Sequence, residues 1–312
     1  MKPELLVLKP LLPRQMEQLD GHFTLHHVYQ APAPADLIES VGPRIRGVVT
    51  SGATGFGQDM LVRLPALEIV ASSGVGTDSI DIPACHARGV PVTNTPDVLN
   101  DDVADLGIAL ILGAMRQLAQ GHAYTRDGSW SRKGPMALTR SVCGKTLGIV
   151  GLGRIGKELA ERASALKMKI AYTGRKPQDT PYDFVADLCE LAGRADVLAL
   201  TCPGGAATRH LIDARVLAAL GPESWVVNLS RGSVIDETAL IDALQQGKIG
   251  GAALDVFENE PHINPAFSTL ENVLLYPHHA SGTVETRDAM SQLVVDNLLA
   301  HFGGQSLLTP VR

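Results

Sequence analysis

A glycine-rich segment in the middle of the chain has residue types and spacing that suit the binding of an anion. Its glycines occupy the first, third and sixth positions of Gly151-Leu152-Gly153-Arg154-Ile155-Gly156. Gly151 permits a tight turn, Gly153 lets the backbone approach a pyrophosphate, and Gly156 lets the following helix pack close to the preceding strand. We therefore expect this segment to bind a dinucleotide, and the first hypothesis is a nicotinamide-dependent oxidoreductase.

The segments on either side of the glycines decide how specific this pattern is. Thr146–Val150 predicts an apolar strand leading into the turn, and Lys157–Leu166 has the spacing of a helix leaving it. The N–H groups at the start of such a helix, together with its dipole, favour a bound phosphate. A glycine turn without any ligand is the alternative, and the strand–turn–helix context argues against it.

The end of the next predicted strand, Ile170–Tyr172, bears on the type of dinucleotide. An acid about 20 positions after the glycines would accept hydrogen bonds from the ribose 2′-hydroxyl of NAD, but Thr173 stands there. Gly174 follows, and Arg175 and Lys176 then supply positive charge for a 2′-phosphate. The hypothesis is a preference for NADP(H), with NAD(H) possible. The alternative is that both cations are solvated loop residues.

Alternating strand-type and helical segments surround the glycine turn and predict parallel sheets covered by helices. The first series has predicted strands at Glu4–Leu8, Phe23–Tyr29, Ile45–Thr50, Ile69–Ser72 and Val90–Val92, and helices near Arg14–Leu19, Ala35–Val41, Gly57–Leu64 and Asp81–Arg88. A long helix over Asn100–Gly121 and a polar segment, Thr125–Gly144, separate it from the second series. That series has strands at Thr146–Val150, Ile170–Tyr172, Asp196–Leu200, Trp225–Asn228, Gly251–Asp255 and Val273–Tyr276, and helices at Lys157–Leu166, Glu237–Gln246 and about Val284–His301. The pattern predicts two α/β domains.

Composition bounds the class of protein. With 312 residues, of which 45% are hydrophobic and 19% charged, the chain is long enough for two domains with sizeable cores. A net charge of −6 and the lack of a long basic run argue against a nucleic-acid or anionic-membrane surface. The N-terminal apolar run is too short for a signal peptide, and no stretch approaches the roughly 18 apolar residues of a membrane span.

Cysteine and histidine usage predicts no metal and no disulfide. Cys85, Cys143, Cys189 and Cys202 form no CxxC pair, so we expect reduced thiols that fill apolar space in a cytoplasmic protein. The histidines show no metal-ligand spacing, so we expect no metal site.

Four further motifs accompany the glycine turn in a fixed order. They are VGTD at 75–78, VNLSRGSVID at 227–236, GAALDVFENEP at 251–261 and YPHHASGT at 276–283. By these motifs the chain resembles the D-isomer-specific 2-hydroxyacid dehydrogenases over nearly its whole length. Within that family it is most similar to the NADPH-preferring glyoxylate/hydroxypyruvate reductases, with local cues at Asp101–Asp105, Phe257–Pro261 and Ser281–Arg287.

The resemblance implies an α/β fold of two doubly wound parallel-sheet domains. A Rossmann dinucleotide-binding domain, residues 98–283, is inserted into a flavodoxin-like substrate domain of residues 1–97 and 284–312. On this expectation the final helix returns to the first domain. The implied activity is the NADPH-dependent reduction of small 2-keto acids such as glyoxylate and hydroxypyruvate.

Three catalytic residues are carried over by motif: Arg231, Glu260 and His278. Reducing a 2-keto acid needs a hydride at the carbonyl carbon and a proton at its oxygen. His278 can donate that proton near neutral pH. Glu260 would favour the imidazolium and orient the ring. Arg231 can hold the substrate carboxylate and polarise the keto oxygen. Glu258 is the rival acid, and His279 is the rival histidine because adjacent side chains tend to diverge.

Further positions receive roles by the same resemblance. The residues expected to contact the dinucleotide, besides the glycine turn and 173–176, are Val103, Cys202, Pro203, Thr208, Leu229, Ser230, Asp255 and Ser281. The segment Gly204–Arg209 departs from the family pattern, which leaves side-chain contacts there in doubt. The alternative roles are core packing for Val103, loop capping for Asp255 and a turn for Ser281.

The substrate pocket is expected to include Val75 and Gly76, whose backbone amides would bind the substrate carboxylate. Trp130 matches a tryptophan that reaches a neighbouring subunit's pocket in the glyoxylate reductases, with an intrachain core role as the alternative. A homodimer is implied, formed through Asn100–Gly144.

Two other functions stay open on the sequence. One is a related dehydrogenase for a larger 2-keto acid, such as 2-ketogluconate or phenylpyruvate. The other is a dinucleotide-sensing binding protein like the co-repressors that share this fold, which the lack of disordered tails and basic segments disfavours.

Overall fold

The chain divides into two compact units in a computed structural model that describes residues 2–311. One unit contains the described residues up to Leu99 and those from Ser281 onward, and the other contains Asn100–Ala280. Met1 and Arg312, the ends of the expected substrate domain, lie outside the described residues.

The first unit is built on a five-stranded parallel sheet. Numbered along the chain, its strands are β1 (Glu4–Val7), β2 (Thr24–His27), β3 (Ile45–Ser51), β4 (Ile69–Ser73) and β5 (Val92–Thr93). Its helices are α1 (Pro13–His22), α2 (Pro34–Val41), α3 (Gln58–Arg63), α4 (Ile82–Ala87) and α12 (Val284–Phe302). The strand order β2-β1-β3-β4-β5 is that of flavodoxin-like folds.

The strand residues of this unit alternate between two apolar layers, because successive side chains point to opposite faces of a sheet. Leu5 and Ile69 pack with residues of α12 on one face, whereas Leu6 and Val70 pack against α2 and α3 on the other. The last helix therefore belongs to the first unit, although it follows the second unit in the sequence.

The second unit is built on a seven-stranded parallel sheet. Its strands are β6 (Thr146–Val150), β7 (Lys169–Thr173), β8 (Asp183–Phe184), β9 (Val197–Leu200), β10 (Trp225–Asn228), β11 (Gly251–Leu254) and β12 (Val273–Leu275). Its helices are α5 (Asn100–Met115), α6 (Leu118–Arg126), α7 (Ser129–Lys133), α8 (Arg154–Ala165), α9 (Leu188–Arg194), α10 (Ala214–Leu220) and α11 (Glu237–Gln245).

The strand order of this sheet is β12-β11-β10-β9-β6-β7-β8. The chain adds β7 and β8 on one side of β6 and then β9 to β12 on the other, so the order switches between β6 and β9. Ligands of open α/β sheets bind at such a switch point, beyond the carboxyl ends of the strands. The glycine turn follows β6 directly, so the fold places it at that position. The predicted fold class, two doubly wound parallel sheets, is confirmed.

Several sequence predictions of local structure were wrong. The single helix predicted over Asn100–Gly121 is two helices, because Gln117 adopts a left-handed conformation with φ of 50°. The polar segment after it contains the short helix α7. The sequence also failed to predict β8, α9 and α10. Asp187 and Asp213 cap α9 and α10 by accepting N–H bonds, a signal that could have located both helices.

No helix within residues 2–311 is long and apolar enough to cross a membrane.

Candidate active site

The glycine turn after β6 is fixed by packing at two of its three glycines. Gly151 has φ of 97°, and a Cβ there would lie 2.7 Å from the Cα of Cys202. A Cβ on Gly156 would lie 2.4 Å from the carbonyl oxygen of Gly151. Any side chain at either position would force apart the segments following β6 and β9.

Gly153, in contrast, is not required by packing. A Cβ there would meet no atom within 4 Å. Gly153 is also the N-cap of α8 and supplies no side-chain cap, so the first turn presents backbone N–H groups rather than a cap hydrogen bond. The turn thus combines a helix N-terminus with open space in front of it, which fits a pyrophosphate.

The end of β7 carries no acid. Thr173 is 8% exposed, and its carbonyl oxygen accepts the Gly151 N–H at 3.0 Å. Arg175 and Lys176 are exposed in the loop that follows, and neither forms an ion pair with another residue in the described part of the chain. Both cations are therefore available to an anion beside the glycine turn.

The segment after β9 lies beside the glycine turn and is tied internally. Thr208 Oγ1 donates to the carbonyl of Pro203 at 2.7 Å, so its side chain closes this loop. The hydroxyl of Ser230 donates to the carbonyl of Cys202. Burial raises the pKa of the Cys202 thiol, which stays neutral as a packing group.

Arg231 leaves the end of β10 on a segment that Asn228 holds. Asn228 is 1% exposed; its Nδ2 donates to the carbonyl of Arg231 at 3.0 Å, and its Oδ1 accepts the Ser230 N–H at 3.0 Å. The Arg231 guanidinium donates to the carbonyl of Ser230 at 2.7 Å. Both amide atoms of one buried side chain thus fix the backbone that carries the arginine.

Gly232 brings this segment onto the loop after β11. A Cβ at Gly232 would lie 1.9 Å from the carbonyl carbon of Phe257 and 2.2 Å from the N of Glu258. Only glycine allows this approach, which places Arg231 near the loop that contains Glu260.

Glu260 and His278 form a hydrogen-bonded pair. Glu260 Oε2 lies 2.5 Å from Nδ1 of His278, and its Oε1 accepts the Phe257 N–H at 2.8 Å. Burial by itself would raise the pKa of Glu260, but the His278 and Phe257 hydrogen bonds and the charges of His278 and Arg231 lower it overall. Glu260 is therefore an ionised carboxylate at neutral pH.

The rival acid and the rival histidine have other partners. Glu258 Oε1 lies 3.2 Å from Arg209 and 3.1 Å from His210. The ring of His279 lies 6.4 Å from that of Tyr276. The structure therefore brings Glu260 and His278 together, and places Glu258 and His279 elsewhere.

Asp255 holds the loop that presents His278. It is 1% exposed, and its two carboxylate oxygens accept the N–H groups of His279 at 2.8 Å and Ala280 at 3.1 Å. Its carbonyl accepts the His278 N–H at 2.7 Å, while His278 itself has φ of 48°. Burial raises the pKa of Asp255 despite these bonds. Loop capping, the alternative role for this residue, is thus present.

The other predicted site residues are distributed over both units. Val103, Leu229 and Ser230 are buried in the second unit. Trp130, on α7, is 64% exposed and does not fill an intrachain core. In the first unit, Val75 and Gly76 lie between β4 and α4, where the Asn94 side chain donates to the carbonyl of Val75 at 2.9 Å. Ser281 lies in the first unit, shortly before α12.

Three residues with a clear part in this geometry were missed by the sequence reasoning: Asn228, Gly232 and Glu237, whose carboxylate accepts the Glu258 N–H at 2.6 Å. The first two belong to the motif that contains Arg231, and that membership was the available signal. Glu237 gave no such signal, because an acid at a helix start is ordinarily a solvated residue favoured by the helix dipole. Residues 2–311 contain no group of three His, Cys, Asp or Glu side chains arranged to hold a metal ion.

Comparisons with known proteins identify the family to which the chain belongs. The family model described as D-isomer specific 2-hydroxyacid dehydrogenase, NAD binding domain, matches residues 108–280. Glyoxylate/hydroxypyruvate reductase A of Arabidopsis thaliana is 46% identical over 308 residues, covering 98% of each chain. The 2-ketogluconate reductase of Gluconobacter oxydans is 43% identical over 313 residues, covering 99% of each chain.

A solved structure extends the likeness to three dimensions. The NADPH-dependent glyoxylate/hydroxypyruvate reductase of Sinorhizobium meliloti, in complex with NADP and malonate, matches with a TM-score of 0.92 and 42% identity. The match covers 100% of this chain and 97% of that one. Since the family model spans more than half of the sequence and the relatives match nearly all of it, the chain belongs to the D-isomer specific 2-hydroxyacid dehydrogenase family.

Proposed function

We propose that this protein reduces small 2-keto acids, glyoxylate and hydroxypyruvate among them, to 2-hydroxy acids with NADPH. The observation that carries the proposal is the 2.5 Å pair between Glu260 and Nδ1 of His278, beside Arg231 and in the same unit as the glycine turn. The Arabidopsis and Sinorhizobium relatives bear the names of such reductases.

The proton that the reaction needs comes from His278 in this proposal. Glu260 engages Nδ1, which leaves Nε2 as the ring nitrogen that can donate to the keto oxygen. The ionised Glu260 favours the imidazolium and fixes the plane of the ring. A bound nicotinamide would supply the hydride.

Arg231 is assigned to substrate binding. Its guanidinium can bind the carboxylate of a 2-keto acid with two hydrogen bonds and polarise the neighbouring keto oxygen. Val75 and Gly76, in the first unit, are assigned to substrate binding through their backbone N–H groups, as the family resemblance implies. The glycine turn and the backbone of 202–203 and 229–230 are assigned to the dinucleotide, with Val103, Asp255 and Ser281 near the nicotinamide.

NADPH oxidation measured across a panel of 2-keto acids tests the activity. His278→Ala should abolish turnover, whereas His279→Ala, which removes a ring not paired with an acid, should retain most of it. No turnover of any keto acid would refute the enzymatic function. Full activity in His278→Ala would refute the proton-donor role alone.

The preference for NADP(H) rests on Thr173, Arg175 and Lys176. A strand end without a carboxylate does not repel a 2′-phosphate, and two unpaired cations follow it. We expect a higher kcat/KM with NADPH than with NADH, and Arg175→Ala/Lys176→Ala should remove the difference. A wild-type preference for NADH would contradict the assignment.

A larger 2-keto acid is the second candidate substrate, favoured by the 43% identity to a 2-ketogluconate reductase. The same panel decides between the two by including 2-ketogluconate and phenylpyruvate. A kcat/KM that is highest for one of these would replace glyoxylate and hydroxypyruvate.

We also propose a homodimer formed through Asn100–Gly144, with Trp130 contributing to the substrate site of the second copy. This segment exposes three large apolar side chains: Leu118 (59%), Trp130 (64%) and Leu138 (100%). Sedimentation should give twice the chain mass of 33.1 kDa, and Trp130→Ala should raise the KM for the keto acid. A monomer would contradict both statements.

The compartment proposed is the cytoplasm, since all four cysteines are free thiols. Fractionation of cells that express the protein tests this, and recovery in an exported fraction would contradict it.

A further inference from the structure

The loop that carries Arg175 and Lys176 is fastened to the glycine turn at its far end by Gln178. The Gln178 side-chain Nε2 donates to the carbonyl oxygen of Leu152 at 2.7 Å. Leu152 is the second residue of the glycine turn and is 3% exposed. This is a direct bond between the segment after β7 and the segment after β6.

The backbone of Gln178 is held as well. Its N–H donates to the hydroxyl oxygen of Tyr172 at 2.7 Å. Tyr172 is fully buried, and its ring lies 5.4 Å from that of Phe184. At the near end of the loop, the carbonyl of Thr173 accepts the Gly151 N–H. Residues 174–177 are thus a short bridge between two fixed ends.

We propose that Gln178 is a positioning residue for recognition of the coenzyme 2′-phosphate, an inference that rests on the proposed use of NADP(H). The pyrophosphate and the 2′-phosphate belong to one ligand, so their binding sites must keep a fixed separation. The bond from Gln178 to Leu152 sets that separation, because it joins the cation loop to the pyrophosphate turn.

The physical reason is preorganisation. Arginine and lysine side chains on a mobile loop lose backbone and rotamer freedom when they bind an anion, and that loss subtracts from affinity. A loop already fixed at both ends loses less. NADH lacks the 2′-phosphate and makes no use of the two cations, so loosening the loop should affect NADH far less than NADPH.

Gln178→Met tests this role, since methionine keeps the length of the side chain and removes the donor. We expect the KM for NADPH to rise about tenfold, consistent with the loss of one well-placed hydrogen bond, while kcat stays within about twofold. The KM for NADH should change by less than about twofold. The exposed Gln246→Met is the matched control and should alter neither coenzyme. Equal losses with both coenzymes, or no loss with NADPH, would refute the proposal.

Coupling to the cations gives a second readout. In the Arg175→Ala/Lys176→Ala background, Gln178→Met should no longer change the ratio of NADPH to NADH efficiency, because residues that act together are not additive. A further tenfold loss in that background would show that Gln178 acts independently of the cations and would overturn its role.

Hydrogen–deuterium exchange in the coenzyme-free protein separates this inference from the coenzyme preference itself. Gln178→Met should speed exchange in residues 174–178 and leave the α11 peptide unchanged. If wild type prefers NADH but Gln178→Met still speeds exchange, the NADP(H) assignment is refuted, whereas the role of Gln178 in fixing the loop is supported. Unchanged exchange in Gln178→Met would refute the role of Gln178 in fixing the loop, whichever coenzyme the protein prefers.

Discussion

The carboxylate of Glu237 accepts a hydrogen bond at 2.6 Å from the backbone N–H of Glu258, and this buried acid thereby holds the loop that contains Glu260. Glu237 is the first residue of α11 and is 7% exposed. Its bond anchors the loop two residues before the carboxylate that pairs with His278. We infer that Glu237 positions Glu260 without contacting the reacting groups.

Glu237→Ala should therefore lower kcat/KM for keto-acid reduction by about tenfold, since an unpaired buried N–H costs about 1–3 kcal/mol and the loop can relax to regain a partner. Glu237→Gln keeps an acceptor oxygen and should retain most of the activity. Coenzyme affinity, followed by NADPH fluorescence, should stay unchanged in both. Equal activity in the alanine variant and wild type would contradict the positioning role.

Glu237 also predicts a pH dependence of stability. Burial raises its pKa, against the hydrogen bond from Glu258, so the unfolded chain ionises this group more easily than the folded one. The free energy of unfolding therefore falls as the pH rises from the pKa of Glu237 in the unfolded chain to its higher pKa in the folded protein. The free energy of unfolding of Glu237→Gln minus that of wild type, measured by urea denaturation, should therefore increase from acidic to neutral pH. A difference that is constant over this range would contradict the raised pKa.

Gly232 and Gly153 make a matched pair of substitutions to alanine. Gly232→Ala places a Cβ on the Phe257 backbone and should destabilise the protein by about 2 kcal/mol or more, as overpacking does. Gly153→Ala meets no protein atom, so its thermal midpoint should match that of wild type while its KM for NADPH rises. Calorimetry and steady-state kinetics separate the two. An unaltered KM in Gly153→Ala would show that no ligand approaches that glycine closely.

Neutralising Glu260 should lower the rate of the reaction. Its pKa is lowered, so Glu260 stays ionised in the range where activity is measured and offers Nδ1 of His278 a charged acceptor. In Glu260→Gln the neutral amide is a weaker partner for the ring, so kcat/KM for keto-acid reduction should fall by about tenfold. Glu258→Gln, which alters a partner of Arg209 and His210, should leave kcat/KM unchanged. Equal kcat/KM in Glu260→Gln and wild type would refute the pairing as a functional one.

Glu4 in the first unit predicts an acid-sensitive contribution to stability. The hydrogen bond to His26 lowers its pKa most, burial opposes this, and Arg44 lowers it further. Since the folded pKa lies below the unfolded one, the stabilisation is present above the unfolded pKa and is lost as pH falls through the folded pKa. Glu4→Gln should cost about 1 kcal/mol at pH 7 and nothing at strongly acid pH, by urea denaturation. The exposed Glu17→Gln serves as control, and a cost for Glu4→Gln that persists in acid would exclude an ionic origin.

Much of the fold was predictable from the sequence, because apolar periodicity and glycine spacing are local properties. The strands around the glycine turn, such as Thr146–Val150 and Trp225–Asn228, were predicted with their observed bounds. The wrong predictions were local as well. The prediction of one long helix was wrong at Gln117, because its residue type does not indicate a left-handed conformation. The two-residue strand β8 is too short to show a period.

The residue types of the candidate site were likewise present in the sequence, but the choice among neighbours was not. Glu258 and Glu260 are equivalent as acids in a loop, and His278 and His279 are adjacent histidines; a motif could only rank them. In the tertiary structure Glu260 pairs with His278, whereas Glu258 contacts Arg209 and His210.

The sequence alone thus determined that a glycine turn, an arginine, an acid and a histidine occur in a fixed order, each after a predicted strand. Only the tertiary structure decided which side chains meet, and why they stay together. Asn228 and Asp255 reach across loops to satisfy backbone groups, and Gly232 admits the close approach of Phe257. Such contacts join residues far apart in the chain, and their geometry is set by the packing of whole strands, which no local pattern encodes.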